Sequence, residues 1–135
     1  MKRVALVMAL MLAAFALVSC SEGRAIQNEA TIDIRLSRFA PGELTVPVGE
    51  PVTLTLKNRD PIAHEWIVGT AEVHERHRTG TEPYHDSRST EVTIPAYSTR
   101  VTTVTFDTPG NYIFICHLPG HEAYGMRGTI HVVPQ

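Results

Sequence analysis

The sequence predicts an all-β domain, an antiparallel β-sandwich of seven to eight short strands. Apolar and polar residues alternate with a period of two in several separate runs, which is typical of half-buried strands. Proline, glycine and asparagine stand between these runs, where tight turns are expected. The chain of 135 residues is long enough for one such domain with its own hydrophobic core.

The strand prediction is clearest where Thr, Val, Ile or aromatic residues occupy every second position. The alternating runs are residues 32–36, 52–57, 102–106, 112–116 and 130–132. Residues 69–90 interrupt this alternation, and within them residues 70–78 tolerate a short helix that Gly80 would end. We expect this long connection to lie over the surface or across one end of the sandwich. Trp66 lies in a predicted strand and is assigned to the core.

The N-terminal 30 residues are predicted to lie outside the domain. Lys2 and Arg3 precede an uncharged run, residues 4–18, which is shorter than the roughly 20 residues of a membrane span. Such a run behind positive charges is typical of a secretory signal. It ends in Leu-Val-Ser-Cys at residues 17–20, which resembles the lipobox of bacterial lipoproteins.

We therefore divide the chain into a lipoprotein signal peptide (1–19), a lipidated Cys20 with its tether (20–30) and a domain (31–135). An ordinary signal peptide with a chance cysteine, or an uncleaved anchor, is the alternative. The division predicts an exported protein, anchored by lipid on the periplasmic or extracytoplasmic face of a bacterial membrane. Without the two basic residues of the signal, the formal charge falls from −2 to −4, which gives no reason to expect nucleic-acid binding.

Cys116, the other cysteine of the chain, is predicted to have no intramolecular disulfide partner. Exported proteins usually use cysteine for disulfides, but Cys20 is predicted to carry lipid. A lone thiol in an oxidising compartment is a liability unless it is buried or binds a metal. Cys116 is therefore a candidate metal ligand.

Cys116 opens the most informative motif of the chain, Cys-x4-His-x4-Met, which continues to His121 and Met126. The Pro-Gly step at 119–120 turns the loop so that His121 can face back towards the thiol. A second imidazole, His64, lies at a predicted strand end, and strand ends gather at one end of a sandwich. Two imidazoles, a thiolate and a distant thioether form the ligand set of a blue-copper electron-transfer centre, whereas calcium and magnesium prefer oxygen.

Two segments resemble the cupredoxins, the small blue-copper proteins that include plastocyanin, azurin and rusticyanin. Gly-Asn-Tyr-Ile-Phe-Ile-Cys at 110–116 resembles the family's Gly-x-Tyr-x-Phe-x-Cys strand, and Ile-Ala-His-Glu-Trp-Ile-Val at 62–68 looks like its first-ligand strand. The resemblance covers about residues 31–133 and implies a Greek-key antiparallel sandwich around one type 1 copper ion. The ligands that it implies are equatorial His64, Cys116 and His121 and axial Met126.

The resemblance also implies how the protein works. It implies a monomer without enzymatic activity that shuttles single electrons between redox partners such as cytochromes or membrane oxidoreductases. In the family, electrons pass through an apolar patch around a partly exposed histidine ligand. The residues that match this patch are Leu118, Pro119, His121 and Tyr124.

Two positions depart from the family pattern. Glu65 follows the first histidine, where many members have an asparagine that ties the two ligand loops together. Because contacts around the ligands tune the metal, the resemblance does not predict the reduction potential of this chain. His117 follows Cys116, as in the His-Cys-His run of multicopper oxidases, but Ile115 precedes the cysteine. The sequence lacks the further ligands of an oxidase or nitrite-reductase subunit, and it lacks the second loop cysteine of a binuclear copper centre.

Copper handling without electron-transfer duty is the main alternative function. Met-rich or His-rich tracts would favour it, but three of the four methionines lie in the predicted signal. His74, His77 and His85 suggest a second metal site, although a solvated polar loop explains them better. By strand alternation, we expect His117 and His131 to face solvent.

Overall fold

The computed structural model describes residues 25–81 and 88–135, which form two packed β-sheets and a short helix. The strands are β1 Glu29–Ile34, β2 Phe39–Ala40, β3 Glu43–Pro47, β4 Pro51–Asn58, β5 His64–Gly69, β6 Glu91–Ile94, β7 Thr99–Thr105, β8 Gly110–Ile115 and β9 Arg127–Val133. The helix, α1, spans Ala71–Thr79 between β5 and β6. The predicted signal peptide, Cys20 and His85 lie outside the described residues.

The chain enters the sandwich slightly earlier than the sequence predicts. β1 begins at Glu29, where the tether was expected to continue to residue 30. Glu29 and Ala30 pair with Thr53 and Leu54 of β4. Backbone pairing does not require an alternating side-chain pattern, so the first two residues of β1 carry no strand signal in the sequence.

The predicted sandwich is confirmed, but the described residues form nine strands where the sequence predicted seven to eight. One sheet has the order β2-β1-β4-β7 and the other the order β3-β9-β8-β5-β6. Two pairs, β1 with β4 and β3 with β9, are parallel, so the sheets are mixed where the sequence predicted purely antiparallel pairing. Side-chain alternation shows which face is buried but not the direction of the neighbouring strand. Between β1 and β4 the chain crosses to the other sheet through β3, and such crossovers allow parallel pairing.

The hydrophobic core lies between the two sheets and extends to the end that carries the predicted ligands. Trp66 and Phe114 are both fully buried, with ring centroids 6.2 Å apart, which confirms the core assignment of Trp66. Cys116 and Met126 belong to the same buried cluster. Both sulfur atoms are therefore carried by side chains at the rim of the core.

The outer face of the five-stranded sheet is covered by α1. Ile67 and Ile115 are buried but do not belong to the cluster between the sheets, and the buried His74 of α1 bonds to the carbonyl of Ile113 in β8. The helix ends as predicted at Gly80, which has the left-handed φ of 67° that glycine adopts easily. Among the described residues, no helix has the length and apolar character needed to cross a membrane.

Candidate metal centre

Three of the four predicted ligands converge at one end of the sandwich. The donor atoms of His64, Cys116 and His121 all lie within 4.8 Å of one another. The Nδ1 atom of His121 lies 3.3 Å from Nδ1 of His64 and 3.2 Å from Sγ of Cys116. In residues 25–81 and 88–135, this is the one group of three or more His, Cys, Asp or Glu donors close enough to share a metal ion.

Strand pairing brings the distant donors together. β5 and β8 are antiparallel neighbours, with Ile67 opposite Ile115. His64 opens β5 and Cys116 directly follows β8. Because antiparallel neighbours place the start of one strand beside the end of the other, residues 52 positions apart in the sequence lie side by side.

The loop after Cys116 returns to the same point through its own backbone bonds. The amide of Met126 donates to the carbonyl of His121 at 3.0 Å, and the amide of Cys116 donates to the carbonyl of Met126 at 3.1 Å. Gly120 and Gly125 supply φ values of 85° and 84°, which side chains disfavour. The Met126 side chain is completely buried in the cluster that contains Cys116.

Burial raises the pKa of Cys116, because the thiolate is poorly solvated there. The amides of Glu65 and Leu118 partly offset this effect, and the amide of Glu65 lies 3.3 Å from Sγ. The pKa of His121 is lowered by burial and by the neighbouring His64, which favours the neutral imidazole. A metal ion that binds here would replace the proton of the Cys116 thiol. The neutral imidazole of His121 would offer a lone pair for coordination without losing a proton.

The comparison with known families decides the class of this centre. The family model described as the cupredoxin-like domain matches residues 6–132. The chain belongs to the cupredoxin-like family.

Related proteins agree with this membership. The chain is 28% identical over 114 residues to the copper-resistant cuproprotein CopI of Rubrivivax gelatinosus, covering 80% of this chain and 69% of that protein. Dithionite-reduced auracyanin from Roseiflexus castenholzii has a similar structure, with a TM-score of 0.68 and 24% identity over 82% of this chain and all of that one. Auracyanin A, a blue copper protein from Chloroflexus aurantiacus, gives a TM-score of 0.62 and 26% identity over 78% of this chain and 98% of that one.

The donor set of this cupredoxin fits a single type 1 copper ion. Two imidazoles and a thiolate converge beside a buried thioether, and this combination suits both oxidation states of copper. The prediction of one copper ion as cofactor is confirmed by the family and by this fit. The ligand role of each individual residue stays a prediction.

In this cupredoxin the backbone of Glu65 contacts the thiol of Cys116. Its N–H group points at the Cys116 sulfur from the strand that carries His64, so the two ligand segments are tied together. Its charge also contributes to the raised pKa of Cys116, after the larger effect of burial.

A buried carboxylate that the sequence reasoning missed contacts the first histidine. Oδ2 of Asp60 lies 2.9 Å from Nε2 of His64, and Asp60 is only 5% exposed. The same carboxylate accepts hydrogen bonds from the amides of Leu36 and Ser37, at 2.7 and 2.8 Å. The one sequence signal was an aspartate four residues before His64, within a segment interpreted only as a turn.

The prediction that His117 faces solvent is wrong. Its side chain does point away from the core, as alternation requires, but it is only 6% exposed because α1 covers that face. Nε2 of His117 lies 2.9 Å from Nδ1 of His74, and its ring stacks on His77. Burial, followed by the charges of His74 and His77, lowers the pKa of His117 to about 4.

The histidines of the 69–90 segment do not form a three-donor site in the described residues. Nε2–H of His74 donates to the carbonyl of Ile113 at 2.9 Å, and Nδ1–H of His77 donates to the carbonyl of Val73 at 2.8 Å. His74 is buried, so this part of the segment is a packed element and not the solvated loop that was expected. The third member of the predicted set, His85, lies outside the described residues.

A salt bridge joins α1 to the loop that carries the ligands. Nη2 and Nε of Arg78 donate to the two carboxylate oxygens of Glu122, at 2.6 and 3.0 Å. The bond to Arg78 is the largest cause of the lowered pKa of Glu122. Glu122 directly follows His121, so the helix holds the ligand loop beside the centre.

The residues predicted for the electron-transfer patch differ in exposure. Tyr124 is 73% exposed and Pro119 is also exposed, whereas Leu118 and His121 are half-buried. All four therefore reach solvent in part or in full, and Leu118 also packs against the edge of the core. His131 is half-exposed and bonds to Asn111 at 2.8 Å, so its predicted contact with solvent is only partial.

Proposed function

We propose that this protein is a type 1 copper protein that carries single electrons between redox partners. His64, Cys116 and His121 would hold the copper ion, with Met126 as a fourth, weaker donor. The observation that carries the proposal is the convergence of three donors within 4.8 Å beside a buried thioether. Bound copper supplies a one-electron change between the cuprous and cupric states.

The protein contributes a donor set that changes little during that step. His64, Cys116 and Met126 are completely buried, and strands β5, β8 and β9 set their backbone positions. Thiolate, imidazole and thioether donors suit both the cuprous and the cupric ion, so neither state would require a different donor set. Small reorganisation favours fast electron transfer, and the half-buried His121 offers the shortest route from the centre to a docked partner.

Repeated redox cycling in the presence of a cuprous chelator tests this role. We expect the copper-loaded protein to recover its full visible absorption after several cycles of chemical reduction and reoxidation. Electron self-exchange, measured by NMR line broadening in mixtures of the two states, should be fast. Leu118→Ser and Tyr124→Ser should slow exchange without changing copper content if the patch around His121 is the docking surface.

Copper storage or delivery is the second candidate function. The relative from Rubrivivax gelatinosus is a copper-resistant cuproprotein, and the same donors suit metal transfer. In that case the chelator would remove the metal on the first reduction, and self-exchange would be slow.

We further propose that the protein lies outside the cytoplasm and is anchored to a bacterial membrane through Cys20. Support comes from the basic start, the uncharged run and the Leu-Val-Ser-Cys sequence at 17–20. The partners are then extracytoplasmic cytochromes or membrane oxidoreductases, and the carrier works as a monomer with no catalytic reaction of its own. Labelled palmitate should be incorporated into the wild type and the Cys116→Ser variant but not into Cys20→Ser, and labelling of Cys20→Ser would contradict the anchor.

A further inference from the structure

We propose that Asp60 is a positioning residue that acts on the copper centre through His64. Its carboxylate orients the imidazole ring and strengthens the other ring nitrogen as a donor, which favours the cupric state and lowers the reduction potential. The inference rests on the proposed copper site.

The two nitrogens of His64 have different neighbours. Nε2 lies 2.9 Å from Oδ2 of Asp60, whereas Nδ1 faces Nδ1 of His121 at 3.3 Å. A carboxylate only accepts hydrogen bonds, so Nε2 carries the proton and Nδ1 presents its lone pair to the other donors. His64 is completely buried, so no water competes for this bond from bulk solvent.

The carboxylate is itself held in place before any metal arrives. Leu36 and Ser37 donate their amides to its two oxygens at 2.7 and 2.8 Å. Both residues have positive φ values, 54° and 52°, which cost free energy in residues other than glycine. The strained turn at Leu36 and Ser37 therefore directs two N–H groups at one carboxylate. The hydrogen bonds to Asp60 offset the strain of this turn.

Asn58 secures the loop from the other side. Its Oδ1 accepts the amide of Asp60 at 2.9 Å. Its Nδ2 lies 2.8–3.1 Å from the carbonyl oxygens of Ile62, Ile94 and Pro95. The Asp60 carboxylate thus has a fixed position relative to β5 and cannot swing away from His64 without breaking several bonds.

The charge of Asp60 is favoured by these contacts. The amides of Leu36 and Ser37 donate to its two oxygens, and hydrogen bonds to a carboxylate favour its charged form. An imidazole that donates to a carboxylate is a more basic ligand than one that donates to a neutral acceptor. The more highly charged cupric ion gains more from a basic ligand than the cuprous ion does.

Asp60→Asn removes the negative charge while keeping a side chain of similar size. We expect cupric affinity, measured by chelator competition, to fall about 10- to 100-fold, with a clearly smaller loss of cuprous affinity. The reduction potential should rise accordingly, by about 59 mV for each tenfold change in the affinity ratio. In the metal-free wild type, we expect NMR to show a protected Nε2–H signal of His64, and in Asp60→Asn this signal should disappear or broaden.

Asp107→Asn is the matched control, because Asp107 is an exposed residue between β7 and β8, at the opposite end of β8 from Cys116. It makes the same change in net charge and should leave the affinity ratio within twofold of the wild type. If Asp60→Asn is too unstable to purify, Asp60→Ser, which keeps a neutral hydrogen-bond acceptor, is measured in the same way.

The two copper affinities distinguish an effect of Asp60 on the reduction potential from a purely structural role. Equal losses of cupric and cuprous affinity, with an unchanged potential, would overturn the inference and leave Asp60 as a structural residue. A wild-type protein that binds no copper through Cys116 would instead overturn the proposed function.

Discussion

The histidines of this chain differ in what holds their second ring nitrogen, and this decides what each one can do. Nε2 of His64 bonds to a carboxylate and leaves Nδ1 for the metal site. His74 donates from Nε2 to a backbone carbonyl and faces His117 with Nδ1. Both nitrogens of His74 therefore have partners within the fold, whereas His64 keeps one nitrogen directed at the other donors.

The buried pair of His74 and His117 predicts a loss of stability in acid. Burial lowers the pKa of both residues, that of His117 to about 4. Below about pH 6.5 these histidines become protonated in the unfolded chain but stay neutral in the folded protein. The free energy of unfolding therefore falls as the pH is lowered from about 6.5 to about 4. We expect His117 to account for about 1–2 kcal/mol of this fall, allowing for partial screening by solvent.

Urea unfolding of the metal-free protein at pH 7.5 and 4.5 measures this effect. His117→Asn should show a smaller fall between the two pH values than the wild type, whereas His131→Asn, on the half-exposed histidine, should match the wild type. An equal fall in all three proteins would contradict the prediction.

At the scale of single elements, α1 holds the ligand loop through two contacts of unequal strength. The Arg78–Glu122 pair is partly exposed, with 42% and 29% of the two side chains accessible, and such pairs contribute about 1 kcal/mol or less. The contacts of His74 are buried, and breaking buried hydrogen bonds leaves groups unsatisfied at about 1–3 kcal/mol.

We therefore expect His74→Ala to destabilise the protein by about 2 kcal/mol or more and Arg78→Ala by less than about 1 kcal/mol. Thermal unfolding of the metal-free variants measures both changes. A larger cost for Arg78→Ala than for His74→Ala would show that the surface salt bridge, and not the buried contact, holds the helix.

The elements with strong local patterns could be predicted from the sequence, and those that depend on the tertiary context could not. The alternating runs and the helix ending at Gly80 were found because their signals are local. The two-residue strand β2 is too short to show a period, and parallel pairing depends on how the chain crosses between sheets. The burial of His117 depends on α1 covering the outer face of the sheet.

Over the whole molecule, close packing between neighbouring strands limits which substitutions the core accepts. A Cβ atom added to Gly128 would lie 2.1 Å from Cζ of Phe114 and 2.4 Å from the carbonyl oxygen of Gly42. Gly42 itself has room, because an added Cβ atom would meet only the carbonyl oxygen of Phe39 at 4.0 Å.

Gly128→Ala should therefore destabilise the protein by about 3 kcal/mol or more, since both the ring and the backbone would have to move. Gly42→Ala should stay within about 1 kcal/mol of the wild type. Urea unfolding of both variants gives the comparison, and a tolerated Gly128→Ala would mean that the strands can separate without loss of packing.

The metal centre as a whole could be predicted from residue types and spacing, but its surroundings could not. Cys116, His121 and Met126 share one loop, and His64 opens a strand next to the one that ends before Cys116, so their convergence follows from the sandwich. Asp60 was missed because its role depends on the conformation of two loops, and nothing in the local sequence encodes their meeting.

The visible absorption spectrum of the protein loaded with cupric ion tests the central claim most directly. Ligation by two imidazoles and the Cys116 thiolate predicts an intense band at about 600 nm, and Cys116→Ser should abolish it. A colourless wild-type complex, or a band that survives in Cys116→Ser, would contradict the proposed centre.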